Sequence, residues 1–307
     1  MKQKEEELGF GTRTSGQKNR LINPDGSFNI DRKEKSAWTS LSFYHYLISI
    51  SWLKFNLMVL SYYLFINFLF AIIYFSAGAD GLNGLDSKTD SSHFWNAFFF
   101  STQTITTIGY GKLSPANHIV NSIAAMEGLI GMLSFALITG ILYGRFARPI
   151  ARILFSKTAL IAPFQDKTAF QFRIANKMRN SQIVDISARV IVAKYELENG
   201  KKIRKFRSLK LEIQNIIFFP MTWTVNHPID EESPLWNMSK KDLEEQDCEF
   251  MILLSGFDDT FSQTVNKRFS YTYDEVVFNA RFVSVFGLND EGVTSQDLNK
   301  IDDYVLE

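Results

Sequence analysis

Several residue types and patterns are scarce in this chain of 307 residues. Cys248 is the only cysteine, so an intrachain disulfide is impossible. The four histidines, at positions 45, 93, 118 and 227, lack the spacing of a metal site, and we expect each to be solvated or part of a core. Lysine and arginine together number 33, as do aspartate and glutamate. With no net charge of one sign, the composition does not favour nucleic acid as a partner.

Catalytic motifs are absent as well. The sequence contains no nucleophile elbow, phosphate-binding loop or zinc motif, so we expect neither an enzyme nor a cofactor. The first 20 residues are polar and of mixed charge, without an apolar stretch, so no cleavable signal peptide is expected.

Two long apolar stretches are present, from Phe55 to Gly78 and from Ile123 to Phe146. Each has the roughly 20 residues needed to cross about 30 Å of hydrocarbon. Lysine and arginine are frequent before Trp38 and follow the second stretch, whereas residues 79–117 between the two contain only Lys88 and Lys112. This bias predicts a multi-pass protein of the cell (inner) membrane with both termini in the cytoplasm.

The flanking segments indicate further divisions of the chain. Residues 36–51 mix aromatic and leucine side chains with polar ones, which is typical of a helix lying in the membrane interface. Trp52 and Lys54 follow where interfacial anchors are expected. We therefore predict a cytoplasmic segment 1–35, an interfacial helix 36–51, a transmembrane domain 52–155 and a cytoplasmic domain 156–307.

Short runs rich in Val, Ile, Phe and Tyr dominate the C-terminal half. The predicted strands are Ala169–Ala175, Ala188–Leu197, Phe218–Val225, Phe250–Leu254 and Ala280–Phe286. The pair Asn199-Gly200 is a strong hairpin signal between two of these runs. Many short strands separated by turn residues predict an all-β, immunoglobulin-like antiparallel sandwich.

The segment between the apolar stretches contains an unusual pattern. Residues 93–106 are aromatic-rich but too short to cross a bilayer, which predicts a re-entrant helix. The sequence Thr107-Ile108-Gly109-Tyr110-Gly111 follows directly. A dehydrated potassium ion needs a cage of oxygens, and the glycines permit backbone conformations that turn successive carbonyls the same way.

The carbonyls of residues 107–110 are therefore predicted to bind K⁺, with Gly111 completing the filter. One chain supplies a quarter of such a cage, which implies a homotetramer. The alternative interpretation of these glycines is an ordinary extracellular turn.

The sequence resembles the inward-rectifier potassium channel family, particularly its prokaryotic members. Residues 19–30 look like the family's cytoplasmic N-terminal strand, and residues 98–111 are similar to its pore helix and filter. Residues 145–149 resemble the junction after its inner helix, and residues 227–235 resemble its cytoplasmic sandwich. The resemblance implies passive K⁺ flux, gated where the inner helices cross, under the influence of the cytoplasmic domain and membrane lipid.

The filter support departs from the family pattern. A glutamate and an arginine that brace the filter in many members are replaced by Gln103 and Leu113. Glu127, within the second apolar stretch, is a candidate substitute, because a carboxylate at membrane depth needs a partner. We expect a structural hydrogen bond from Glu127 to Gln103 or a neighbouring threonine; the alternative is ion binding.

The gate is predicted on the second apolar stretch. Gly131 and Gly140 are the interior glycines available for bending, although Gly131 could equally serve close packing. The resemblance places an aromatic constriction at Tyr143, with Phe146 as the alternative, and a dewetted ring there would stop ions.

Rectification is expected to be weak. The resemblance aligns Phe135, Lys201 and Ser255 with positions that are acidic in strong rectifiers, and it places Gly256 and Phe257 in a cytoplasmic pore loop. Polyamines or Mg²⁺ are therefore expected only as weak blockers.

Basic residues flank the two apolar stretches. We predict that Lys54, Arg145, Arg148, Arg152 and Lys157 attract anionic lipid headgroups; simple orientation of the spans is the alternative. Ile150 and Ala151 replace the lysines that hold phosphoinositide in eukaryotic members, so a general response to anionic lipid is expected instead.

Three classes of protein compete for this sequence. A membrane-anchored sensor leaves residues 107–111 unexplained, and a membrane-bound enzyme lacks a catalytic cluster. The favoured prediction is a potassium-selective channel of the inward-rectifier type.

Overall fold

The computed structural model describes residues 20–29, 43–77, 81–85, 90–147, 151–177, 183–198, 200–288 and 292–307. The chain divides into two compact units. One contains the described residues of 34–148, and the other contains those of 1–33 together with 149–307. Residues 20–29, predicted as part of a separate segment, therefore belong to the C-terminal unit.

Four helices form the first unit: α1 (Phe43–Ser49), α2 (Trp52–Ser76), α3 (Asp90–Ile105) and α4 (His118–Phe146). The side chains of Ser51 and Asn117 cap α2 and α4 by accepting hydrogen bonds from Lys54 N and Val120 N. Helix α1 covers the second half of the predicted interfacial helix, whose residues 36–42 lie outside the described residues.

Helices α2 and α4 are long and apolar enough to cross a membrane, with mean hydropathy of 2.0 and 1.8. In their most apolar windows only 22% and 11% of the residues are buried within the chain. This combination of length, hydropathy and exposure suits helices whose surroundings are lipid or other copies of the chain, rather than the core of a soluble domain.

A short antiparallel pair connects the segments on either side of α3. Strand β1 (Leu82–Asn83) pairs with β2 (Ser114–Pro115). Gly84 has a φ of +84° and lies so close to the carbonyl of Lys112 that no side chain fits between them. The segment that follows α3 is thus tied to the segment that precedes it.

The second unit is dominated by strands. They are β3 (Ile153–Phe155), β4 (Ala159–Phe164), β5 (Lys167–Asn176), β6 (Ile183–Glu198), β7 (Lys201–Leu209), β8 (Asn215–Phe218), β9 (Trp223–Ile229), β10 (Glu249–Asp258), β11 (Gln263–Thr272), β12 (Val276–Phe278), β13 (Ala280–Phe282), β14 (Phe286–Leu288), β15 (Thr294–Gln296) and β16 (Tyr304–Leu306). A short helix, α5 (Lys240–Glu245), lies between β9 and β10.

Two five-stranded sheets form the sandwich. In one, β11, β10, β6 and β7 are neighbours in that order and β8 also pairs with β6; in the other, the order is β12, β4, β5 and β3, and β9 also pairs with β5. The hairpin predicted at Asn199-Gly200 is confirmed, because Glu198 pairs with Lys201 and Gly200 has a φ of +74°. The predicted antiparallel sandwich is confirmed, and it contains one parallel pair, β12 with β4.

Two predicted strands are each interrupted in the structure. The run Phe218–Val225 is divided between β8 and β9, with residues 219–222 outside both strands. Pro220 lies in the break, where its missing N–H prevents regular pairing. The run Ala280–Phe286 is likewise divided between β13 and β14.

Aromatic side chains fill the space between the sheets. Phe170 of β5 stacks on Phe250 of β10 with ring centroids 4.3 Å apart, and both rings are fully buried. Tyr271 is also fully buried, and its hydroxyl donates to the carbonyl of Ser156 at 2.7 Å. This aromatic core joins the two sheets.

His227 and Cys248 are core residues of this unit. The ring nitrogens of His227 lie 2.6 Å from Lys210 O and 2.7 Å from Ser233 Oγ, and burial lowers its pKa. Burial raises the pKa of the Cys248 thiol to about 12, so the reactive thiolate is not formed at neutral pH. The expectation of a core histidine is confirmed at position 227.

Residues 20–29 are attached to the sandwich by a buried carboxylate. The oxygens of Glu249 accept from the backbone N–H groups of Leu21 and Ile22 and, at 2.9 Å, from Arg204 Nη2. Arg20 adds an ion pair with Glu275 at 2.9 Å. The predicted N-terminal strand 19–30 is instead a turn closed by an Ile22–Phe28 bridge, and residues 19 and 30 lie outside the described residues.

Replacing Glu249 with Ala should loosen this attachment. The change removes the carboxylate shared by Arg204 and two backbone donors, and breaking a buried ion pair costs roughly 3–5 kcal/mol. We expect a lower thermal unfolding temperature and faster tryptic cleavage at Arg20 in the detergent-solubilised protein. Glu212→Ala is the control, because Glu212 is exposed. Equal cleavage rates in the two variants would contradict the attachment.

Candidate ion pathway

The backbone after α3 leaves the helical path without losing its hydrogen bonds. Thr107 N donates to Thr104 O at 3.0 Å, and Ile108 N donates to Gln103 O at 2.9 Å. Gly109 N also points to Gln103 O, at 3.4 Å. The carbonyls in the last turn of α3 thereby accept hydrogen bonds from the first amides of the next segment. The carbonyls of that segment are left available to bind other partners.

The conformation of residues 107–111 alternates along the chain. Thr107, Gly109 and Gly111 have φ angles of +58°, +55° and +85°, whereas Ile108 and Tyr110 lie on the negative side. A chain in which the sign of φ alternates can turn successive carbonyls toward the same side. For the two glycines this conformation carries no steric penalty.

One side of this segment is open in the single chain. A Cβ placed on Gly109 or Gly111 would meet nothing within 4 Å, and the side chain of Tyr110 is 77% exposed. Glycine is therefore required at positions 109 and 111 by the backbone conformation and not by close packing within one chain.

Glu127 occupies a polar site among three apolar helices. Tyr74 Oη of α2 donates to Glu127 Oε2 at 2.6 Å, and Ser101 Oγ of α3 is hydrogen-bonded to Glu127 Oε1. Ser101 Oγ also lies 3.1 Å from Asn67 Oδ1 of α2. The predicted partners, Gln103 or a neighbouring threonine, were wrong, because α3 turns Ser101 rather than Gln103 toward α4.

Gly131 lies one turn after Glu127 and packs against the end of α3. A Cβ at Gly131 would be 2.4 Å from Ile105 O. Glu127 thus contacts Ser101, and Gly131, four residues later on α4, contacts Ile105, four residues later on α3. This contact supports the packing role for Gly131 that the sequence left open beside the hinge.

The predicted gate residues lie in the second half of α4. Phe135 and Tyr143 are each 75% exposed. Phe146 is exposed as well, at 66%, and its ring centroid lies 5.0 Å from that of Trp52 in the same chain. A Cβ at Gly140 would meet nothing within 4 Å, so packing within the single chain does not explain that glycine.

Arg145 has a different environment from the one predicted. Its guanidinium donates to the carbonyls of Leu47 and Ile50 at the end of α1, and it lies 4.6 Å from the ring centroid of Trp52. A cation at a helix C-terminus is favourable, because the carbonyls there lack intrahelical donors. This side chain therefore connects α1 to α4, and the contact of Arg145 with lipid stays a prediction.

The other predicted lipid residues lie in both units. Lys54 and Arg152 are exposed. Lys157 is 84% exposed at its side chain and forms an ion pair with Asp302 at 3.1 Å. Arg148 lies outside the described residues.

Gly256 and Phe257 are not loop residues. Both lie in β10, and the loop between β10 and β11 is formed by residues 259–262. The register against β6 shifts between Ser255 and Phe257, at Gly256, where a Cβ would approach Ile183 Cγ2 to 2.8 Å. The predicted pore-loop position is therefore corrected to a bulged strand that leads into the loop.

Sequence reasoning missed Asn67, Tyr74 and Ser101. A signal was available, because Asn67 is a polar residue within a strongly apolar helix and needs a partner at membrane depth. What the sequence could not give was the rotation of the helices that brings these side chains to Glu127.

Comparisons with known proteins agree along the chain. A family model described as an ion channel matches residues 59–148, and one described as the inward rectifier potassium channel C-terminal domain matches residues 153–306. The inward rectifier potassium channel Kirbac3.1 of Paramagnetospirillum magnetotacticum is 36% identical over 293 residues, which cover 94% of this chain and 97% of that protein. The ATP-sensitive inward rectifier potassium channel 8 of Homo sapiens is 29% identical over 83% of this chain, and the match spans 62% of that longer protein. This chain, with its two membrane-crossing helices and C-terminal β-sandwich, belongs to the inward rectifier potassium channel family.

Proposed function

We propose that four copies of this chain form a potassium-selective pore in which the carbonyls of Thr107, Ile108, Gly109 and Tyr110 bind K⁺. The observation that carries the proposal is the alternating φ at residues 107–111. Such a carbonyl ladder can replace the ion's hydration shell. The open side of the segment leaves room for the other three copies.

Two contacts support the filter from behind. The carbonyl of Gln103 accepts from the first filter amides, and Glu127 holds α3 through Ser101. In the proposed pore these contacts position α3 in place of the glutamate–arginine brace. The C-terminal end of α3 would also favour a cation near it through its helix dipole.

The proposed gate is a ring of Tyr143 side chains on α4. Tyr143 and Phe146 are both exposed, but the ring of Phe146 also packs on Trp52. Four aromatic rings at one level can exclude water and so block a hydrated ion. Bending at Gly140 is the proposed route to opening, driven by the cytoplasmic domain and by anionic lipid near Lys54, Arg152 and Lys157.

The proposed membrane orientation and the weak rectification both follow from the distribution of charged residues. The excess of lysine and arginine outside residues 79–117 supports an inner-membrane location with cytoplasmic termini. Phe135 brings no negative charge to α4, which supports weak block by polyamines or Mg²⁺.

Replacing Gly109 with Ala should abolish selective conduction. An L-residue held in the left-handed region costs roughly 1–2 kcal/mol per chain, and the cost is repeated in each of four copies. The measurement is K⁺ against Na⁺ flux into liposomes. Gly128→Ala is the control, since a Cβ there also meets open space but the glycine is helical. A wild-type K⁺ preference in Gly109→Ala would refute the filter assignment.

Truncating Tyr143 to Ala should raise basal K⁺ flux severalfold without loss of selectivity. The smaller side chain widens the constriction and weakens the dewetting barrier. Phe146→Ala is the matched comparison, one helical turn away, at equal protein amounts in the same liposomes. A rise in Phe146→Ala alone would place the gate at Phe146.

Internal spermine should block the wild-type channel weakly, and Phe135→Asp should strengthen the block, because four carboxylates would attract the polycation. Phe135→Asn provides the uncharged control at the same position. The comparison is made by recording current against voltage with spermine on the cytoplasmic side. Strong voltage-dependent block of the wild-type channel would contradict the expectation.

A further inference from the structure

The polar site around Glu127 contains a chain of four hydrogen bonds. Tyr74 Oη lies 2.6 Å from Glu127 Oε2, and Glu127 Oε1 is bonded to Ser101 Oγ. Ser101 Oγ lies 3.1 Å from Asn67 Oδ1, and Asn67 Nδ2 donates to Tyr63 O at 2.7 Å. Glu127, Ser101 and Asn67 are each fully buried within the chain.

The last bond determines the orientation of the Asn67 amide. The carbonyl of Tyr63 can only accept, so the NH₂ group of Asn67 must face it. The opposite orientation would place two oxygens 2.7 Å apart with no hydrogen between them. Asn67 Oδ1 therefore faces Ser101 as an acceptor.

The hydroxyl of Ser101 then lies between two acceptors but has only one hydrogen. If Ser101 donates to an ionised Glu127, no hydrogen remains for the contact with Asn67 Oδ1. If Ser101 donates to Asn67, the hydrogen between Glu127 and Ser101 must belong to Glu127. Only the second arrangement satisfies every contact, and a buried oxygen pair without a hydrogen is costly.

We propose that Glu127 is a neutral carboxylic acid whose proton links α4 to α3. Hydrogen bonds then run in one direction, from Tyr74 through Glu127, Ser101 and Asn67 to the carbonyl of Tyr63. Each donor has one acceptor, and three helices are joined without a buried charge. Tyr74, Ser101 and Asn67 are thereby positioning residues for the helix that precedes the filter.

The consequence for conduction rests on the proposed function. Ser101 is one turn before Ile105, whose carbonyl is packed by Gly131, so the chain holds the final turn of α3. Hydroxide would remove the Glu127 proton as water and leave Ser101 between two acceptors. We expect α3 to shift and K⁺ flux to fall as the pH is made alkaline.

Among the side chains that the structure describes, the other titratable groups of the three helices do not form part of this chain of bonds, and Tyr63 contributes only its backbone carbonyl. Tyr74 is the titratable group in direct contact with Glu127. Asp90 and His93 lie in the first turn of α3, and His118 is the first residue of α4. Tyr62 is hydrogen-bonded to Ser134, and Arg145 donates to the end of α1. Lys54 lies in the first turn of α2, and Tyr143 lies in the last turn of α4.

The direct test is infrared spectroscopy of the full-length protein in lipid at neutral pH. The spectrum of Glu127→Gln subtracted from that of the wild type should contain the carbonyl band of one protonated carboxylic acid per chain. A carboxylate band in its place would overturn the proposal. If Glu127→Gln does not assemble, the band is sought in wild-type protein with ¹³C-labelled glutamate, and its absence there overturns the proposal equally.

The functional test is K⁺ flux into liposomes across a range of alkaline pH. Gln offers an N–H toward Ser101 and an oxygen toward Tyr74, so the K⁺ flux of Glu127→Gln, expressed relative to its own value at neutral pH, should not decline as the pH is made alkaline. Ser101→Ala should reduce flux severalfold at neutral pH, whereas Ser122→Ala, which removes only a local bond to His118 O, should not. The same alkaline decline in Glu127→Gln would overturn the link to conduction. An acid band in a wild-type protein without K⁺ flux would support the protonated state and contradict only the proposed function.

Discussion

A bilayer supplies no water to the backbone, and this constraint governs the membrane unit. Non-helical chain at that depth is tolerated only where protein or an aqueous cavity satisfies its polar groups. Residues 107–111 meet the requirement on one side through the carbonyls of Thr104 and Gln103. The other carbonyls need a partner outside the single chain, which a potassium ion and three further copies provide in the proposed channel.

The two units solve the same problem, a buried carboxylate, in different ways. Glu249 accepts from backbone N–H groups and from the guanidinium of Arg204, so its charge has a cationic partner. Glu127 has no cation within its hydrogen-bonded group and meets hydroxyl groups instead. Charge pairing suits a sandwich in contact with water at its edges, whereas shared hydroxyl hydrogens suit a site between membrane helices.

Arg145 illustrates how the context of a residue decides its role. A cationic residue at the end of a membrane helix is an ordinary signal for lipid phosphate. Here the guanidinium also donates to the carbonyls at the end of α1 and lies over the ring of Trp52. Phe146 also packs on Trp52, so two residues hold the C-terminal end of α4. Tyr143, in the same turn, remains exposed.

Features that depend on composition and local geometry could be predicted from the residue order alone. Hydropathy located both membrane helices, Asn199-Gly200 located a hairpin, and the glycines at 109 and 111 indicated an unusual backbone, because each of these depends on neighbouring residues along the chain. The fold, in contrast, sets the partners of Glu127, the contacts of Arg145 and the place of Gly256 within a strand. Those outcomes depend on how each helix is rotated and how each strand is registered against its neighbours. Rotation and register arise from the packing of side chains that are distant in sequence, and no local pattern encodes them.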